Sequence, residues 1–152
     1  MSELSLRNRQ RECAVDLKRL RLIIHTCLRE TPEIIQFEIG IHLVATPEMT
    51  RLNEIYLHHP GSTDVITFNH AEHAGTQRLY GEIFICTDEA VANAHRFHTS
   101  WQAELVRYAI HGILHLLGYR DDRPEARRRM QQVENRLWRG LDRRFLLSRL
   151  AL

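Results

Sequence analysis

Residues 99–122, TSWQAELVRYAIHGILHLLGYRDD, constrain this chain more than any other stretch. Thr99 followed three residues later by Gln102 resembles a capping box. Apolar residues then recur at helical spacing, and Gly118 is the residue type that closes a helix. The spacing therefore predicts a helix from about 99 to 118, with His111 and His115 four residues apart in an otherwise apolar run. A core helix does not ordinarily carry ionisable rings, so the two histidines need a reason.

Residues at i and i+4 of a helix lie about 40° apart in azimuth and one turn apart in height, which lets two imidazoles reach one metal ion. An isolated HxxxH is most often two satisfied histidines, but three neighbours weigh against that here. Leu114, Leu116 and Leu117 make the surroundings apolar, where unpaired imidazoles are costly. Gly118 allows a sharp turn just after the second histidine, and a carboxylate arrives at 121. HxxxHxxGxxD thus offers two helix ligands and a third that folds back. Three protein ligands leave a coordination position open, the arrangement of a catalytic metal. Asp122, with Pro124 and Glu125 after it, reads as the N-cap of a further helix. Its carboxylate is then claimed by helix amides, which favours Asp121 as the ligand; Asp122 takes that place if the cap slips by a residue.

Around this centre the pattern alternates strands and helices. SLRNRQ suggests a first strand and residues 12–29 a helix carrying Val15, Leu20, Ile23, Ile24 and Leu28, stopped by Pro32. QFEIGIHLV alternates as a half-buried strand. Thr46-Pro47-Glu48 caps a helix bearing Met49, Leu52 and Ile55. DVITF and GEIFIC read as strands that pair in a hairpin across a polar turn. Thr87 can cap a helix to about His98, and a last helix runs from the Asp122 cap to about Gly140, with Met130, Val133 and Leu137 inward. The order βαβαββααα implies one α+β domain over residues 1–152, with helices against one sheet.

No run of about 18 apolar residues occurs, so no membrane span is expected, and the N-terminus lacks the apolar core of a secretory signal. Cys13, Cys27 and Cys86 are odd in number and widely spaced, which supports buried thiols rather than a disulfide framework or a cysteine zinc site. Net charge is only +2, but it is polarised: residues 101–152 hold eleven Arg against six Asp and Glu, while the first hundred hold ten basic and thirteen acidic residues. This is weak support for an anionic partner.

HGILHLLGY, with MQQVE (130–134) downstream, resembles the YbeY family of metal-dependent endoribonucleases. RLNEIYL, STDVITF and YGEIFI are similar to that family's LN helix, TDVLSF strand and GDI strand, in the same order over roughly residues 37–140. The resemblance implies a mixed four-stranded sheet with about five helices packed around it. It implies a cytoplasmic enzyme that cleaves single-stranded RNA in ribosomal RNA maturation, at the 3′ end of 16S rRNA, and in ribosome quality control. Ribosomal or small-subunit proteins are the partners it suggests. It implies one ion, zinc or another divalent transition metal such as nickel or iron, held by His111, His115 and Asp121. Three positions depart from the family pattern. Arg120-Asp121 stands where a third histidine is usual, Leu57 where an arginine is usual, and Glu82 replaces the GDI aspartate.

Several further residues are candidates for accessory roles. Glu104, two turns before His111 on the same helix face, could accept an imidazole N–H. Thr63 and Asp64, at a strand end, either orient substrate or cap the local turn. His58, His59, His70 and His73 flank STDVITF, and His59 or His58 could partly replace the absent arginine. Arg127 and Arg128 are candidates for phosphate contacts. Two other functions compete. A zinc peptidase has similar ligand spacing but needs HExxH, and Gly112 occupies the position of that glutamate. A non-catalytic ribosome-assembly factor with a structural metal is suggested by Leu57.

Overall fold

The computed structural model describes residues 1–72 and 77–151; His73 lies outside the described residues. Nine regular elements follow the expected order: β1 (Glu3–Asn8), α1 (Leu17–Glu30), β2 (Gln36–Val44), α2 (Thr46–Tyr56), β3 (Val65–Asn69), β4 (Arg78–Cys86), α3 (Thr87–Phe97), α4 (Trp101–Leu116) and α5 (Pro124–Phe145), with a final 3-10 turn (Leu147–Leu150). The sheet order is β1-β2-β4-β3. β1, β2 and β4 run parallel, and β3 closes one edge antiparallel to β4, as the hairpin pattern predicts. The fold is α+β with a mixed four-stranded sheet and five helices.

The alternation of β2 puts Phe37, Ile39, Ile41 and Leu43 into the main core with Leu79, Ile83 and Ile85 of β4. The opposite face carries a smaller cluster, Val44, Met49, Ile66, Phe84 and Cys86, covered by α2. α4 is buried on nearly all sides, from Ala103 through Leu116, so it is the central helix on which the sheet and α1, α3 and α5 are assembled. All three cysteines are free and buried.

Gly112 shows how tightly α4 meets the sheet. A Cβ there would lie 2.7–2.9 Å from three side-chain carbons of Ile83, itself fully buried. We expect Gly112→Ala to lower stability, because overpacking costs about 1–3 kcal/mol against a helix-propensity gain of up to about 1 kcal/mol. A thermal melt checks it; an unchanged or raised midpoint would mean Ile83 yields freely. Gly112 also leaves the chain without the glutamate that a zinc peptidase uses as base at this position.

Several helix ends differ from the sequence expectation, each for a tertiary reason. α1 starts at Leu17, with Asp16 accepting from the Arg19 amide, because the Cys13 backbone is bound by the Gln10 side chain and Val15 bridges to Ala151. Thr46 and Thr87 are the first residues of their helices rather than caps. The Thr46 amide and hydroxyl both donate to Asp88 Oδ2, and the Thr87 hydroxyl is turned into the interior toward Gln10 and Val44. Ile55 is 61% exposed, and Asn53 is buried in its stead, donating to the Gly61 carbonyl. Ser100, not Thr99, caps α4 by accepting from the Ala103 amide. α5 runs past Gly140 to Phe145 because its inward stripe continues to the buried Leu141.

Candidate metal centre

The end of α4 builds the site. Leu117 is its C-cap, Gly118 follows with φ of 104°, and the amides of Gly118 and Tyr119 donate to the carbonyls of His115 and Leu114. These two reversed bonds are a Schellman closure that only a residue tolerant of positive φ permits cheaply. The chain therefore reverses immediately after His115 and brings Asp121 back over the exposed face of the last turn. Arg127, in the first turns of α5, donates from Nε to the Asp121 carbonyl at 3.2 Å and holds that loop.

His111 Nε2 and His115 Nε2 are 3.1 Å apart, and Asp121 Oδ2 lies 3.5 and 3.3 Å from them. The other ring nitrogens are already committed. His115 Nδ1 lies 3.1 Å from the Tyr119 carbonyl, an acceptor only, so it carries the proton. His111 Nδ1 lies 2.8 Å from Glu134 Oε1, which likewise demands a donor. Both Nε2 atoms of the neutral rings then present lone pairs to each other and to a carboxylate oxygen. Three acceptors this close require a positive charge between them. One proton satisfies a single pair; a divalent cation satisfies all three. Burial opposes a charge on His111, but Glu134, by hydrogen bond and charge, together with Asp121 and Asp64, outweighs it and raises the ring's pKa. The donor set, two imidazoles and one carboxylate within 4.8 Å of one another, is one that could hold a metal ion.

The three groups open into a cleft of about 470 Å³ along the free edge of β3, lined also by Leu57, Thr63, Asp64, Val65, Thr67 and Asn69. A family model described as Endoribonuclease YbeY matches residues 5–142 of the chain. The chain belongs to the YbeY family. Two relatives in the family, the endoribonucleases YbeY of Chlorobium phaeovibrioides and Chlorobium luteolum, are 43% and 44% identical over 93 and 85 residues. These matches cover 61% and 56% of this chain and only 61% and 60% of those proteins, about three fifths of their length. A Thermotoga maritima protein known from a solution structure shares the fold with a TM-score of 0.57, at 23% identity and 91% coverage of both chains.

Asp121 reaches the two Nε2 atoms with its carboxylate from the loop that follows Gly118. Leu57 lines the cleft and brings no charge to it. Glu82 lies outside the cleft, where it accepts from His42 Nε2 at 2.8 Å and His70 Nε2 at 2.9 Å. Thr63 and Asp64 face the cleft, and Asp64 Oδ1 also accepts from the Val65 amide, so the turn-capping and cleft-facing roles coincide in one side chain. His58 and His59 are exposed at the end of α2 and do not line the cleft. Arg128 is exposed on α5, away from it.

Two expectations are corrected. Glu104 touches neither imidazole: seven residues along a helix is a rise of about 10.5 Å, and its Oε1 accepts from the Thr99 hydroxyl at 2.7 Å instead. Asp122 is not a cap. Pro124 opens α5, the residue before a proline is held extended, and so Arg123 is the N-cap, with no side-chain bond. Asp122 pairs with Arg120 at 2.6 Å on the surface.

The residue that sequence reasoning missed is Glu134. It is 8% exposed, carried by α5, and fastened on its other oxygen by Arg107 Nη1 at 3.2 Å. Arg107 is itself fixed by Asn135 Oδ1 at 2.7 Å and stacked over Trp138. Glu134 thus sets the tautomer and orientation of His111. We expect Glu134→Gln to fold normally yet weaken divalent-metal affinity about 10–100-fold, the usual cost of losing such support. Titration against a chromogenic chelator checks it, and unchanged affinity would reduce Glu134 to a packing role.

Proposed function

We propose that this chain, acting as one domain over residues 1–152, is a metal-dependent endoribonuclease of single-stranded RNA that works in ribosomal RNA maturation in the cytoplasm, in contact with ribosomal proteins. The observation that carries the reading is the convergence of His111 Nε2, His115 Nε2 and Asp121 Oδ2 at the floor of an open cleft. The family membership and the endoribonuclease names of its relatives support it. His111, His115 and Asp121 would hold the ion, with zinc favoured by the imidazole–carboxylate set and nickel or iron also compatible. When bound, it supplies Lewis acidity toward a phosphoryl oxygen and acidifies water.

The other residues position and hydrogen-bond. Glu134 and the Tyr119 carbonyl hold the two rings by Nδ1–H, so both Nε2 atoms stay available. Asp64 is the other carboxylate on the cleft wall and serves as hydrogen-bond acceptor for the attacking oxygen. The Thr63 hydroxyl orients substrate beside it.

The experiment offers purified protein, with and without chelator, both unstructured RNA and casein. Chelator-sensitive RNA cleavage with casein intact is the expected result. Leu57, an uncharged residue in the cleft, favours a second reading, an assembly factor whose metal is structural. It predicts that chelation lowers the melting temperature while no RNA is cut under any condition.

A further inference from the structure

Among the described residues, no arginine or lysine lines the cleft that holds the candidate metal centre, although its proposed substrate is a polyanion. The positive charge lies on α5, which carries seven arginines against Glu125, Glu134 and Asp142. At 3.6 residues per turn, Arg129, Arg136, Arg139 and Arg143 share one outward arc, opposite the buried Met130, Glu134 and Leu141. Arg129 borders a hollow with Tyr119 and Arg120 just beyond the metal loop. Arg136, Arg139 and Arg143 border a second hollow further along, with Gln132 and Asn135.

Among the described residues none of the four stripe arginines takes part in an ion pair, in contrast to Arg107 and Arg144 on neighbouring faces. Asp142 borders the same hollow as Arg136, Arg139 and Arg143 but has Oδ1 occupied by the Leu147 amide, and Glu125, four residues before Arg129 on the same arc, forms no ion pair with it among the described residues. Like charges three and four apart on a helix repel, which sets Arg139 against both Arg136 and Arg143. The helix dipole offsets that for Arg143 in the last turn, but its effect does not reach Arg129, Arg136 or Arg139.

We propose that this stripe is a track for the phosphate backbone of single-stranded RNA, holding the flank of a substrate whose reactive segment lies in the cleft; it rests on the ribonuclease reading above. From Arg129 to Arg143 the track spans about 21 Å of helix, and guanidinium forks match phosphate oxygens. An acidic protein partner would need buried apolar anchors, and the arc offers charged and amide side chains instead.

The test is the triple variant Arg136→Gln, Arg139→Gln, Arg143→Gln, whose exposed substitutions leave helix propensity nearly unchanged. Binding is read by fluorescence anisotropy under chelator, with an unstructured RNA long enough to leave the cleft (about 15–20 nucleotides) and one too short to do so (about 4). We expect about tenfold weaker binding of the long RNA and a salt slope flatter by about 2, at about 0.7 per single-strand phosphate contact. The short RNA should bind as to wild type. Unchanged long-RNA affinity, or equal losses at both lengths, would overturn the track. Polyglutamate binding as tight as RNA, lost in the same variant, would overturn the assignment to RNA in favour of an acidic protein. Cleavage is assayed separately: long-RNA binding that depends on the stripe, without any cleavage by the wild type, sinks the catalytic reading and leaves the track standing.

Discussion

Replacing His111 or His115 with alanine is expected to abolish divalent-metal binding and, with it, the chelator-sensitive RNA cleavage proposed above. Each ring contributes one of three converging donors, and the remaining two, an imidazole and the half-exposed Asp121, no longer surround an ion. The loss also appears as stability. A ligand that binds only the folded chain, present at about 100 times its dissociation constant, contributes about 2.7 kcal/mol, or roughly 5–10 °C in the melting temperature of a domain this size. His115→Ala is the cleaner variant, because beyond His111 and Asp121 its ring has the Tyr119 carbonyl as its one hydrogen-bond partner among the described residues. His111→Ala also leaves the buried Glu134 with one partner fewer. Chelated wild type should therefore melt close to His115→Ala and above His111→Ala. If either variant keeps full metal content and an unchanged melt, the ligand assignment is wrong.

The histidines were legible because helix geometry is local. An i, i+4 pair faces one way whatever surrounds it, and Gly118 announces the reversal that returns Asp121. β2 was legible for the same reason: alternation in QFEIGIHLV fixes which side chains meet the core before any partner is known. Glu134 was not legible as a support for His111, because the two are 23 residues apart and meet only when α5 packs on α4. Nothing in the spacing distinguishes it from the other acids of that helix. Glu104 misled for the complementary reason: it shares a helix face with His111 but not a height. The cap at 99–100 failed by one residue, since Thr99 and Ser100 are both competent caps. The choice was made by Glu104, which takes the Thr99 hydroxyl and leaves Ser100 to the Ala103 amide.

The division of labour between Asp121 and Asp122 has a similar origin and gives the second large effect. Asp121→Ala is expected to lose metal through gel filtration, a greater loss than the 10–100-fold typical of removing a ligand's hydrogen-bond partner. Asp121→His should retain it. Imidazole restores a neutral donor at the same loop position, and the loop itself is held by the Arg127 contact to the residue 121 carbonyl, which the substitution leaves intact. The bound ion would then keep its full charge of two, where the carboxylate reduces it to one. Asp122→Ala should keep metal and melt like wild type, because Asp122 pairs with Arg120 in solvent and makes no cap bond to α5. Metal stoichiometry and melts of the three variants decide the matter. Metal lost from Asp122→Ala but kept by Asp121→Ala would show that the loop turns the other carboxylate inward when an ion is present. Metal kept by both would leave the two histidines as the whole of the protein's contribution. In either case the convergence of Asp121 Oδ2 on the two Nε2 atoms would be a charge pairing with His111 and His115 and not a ligand geometry.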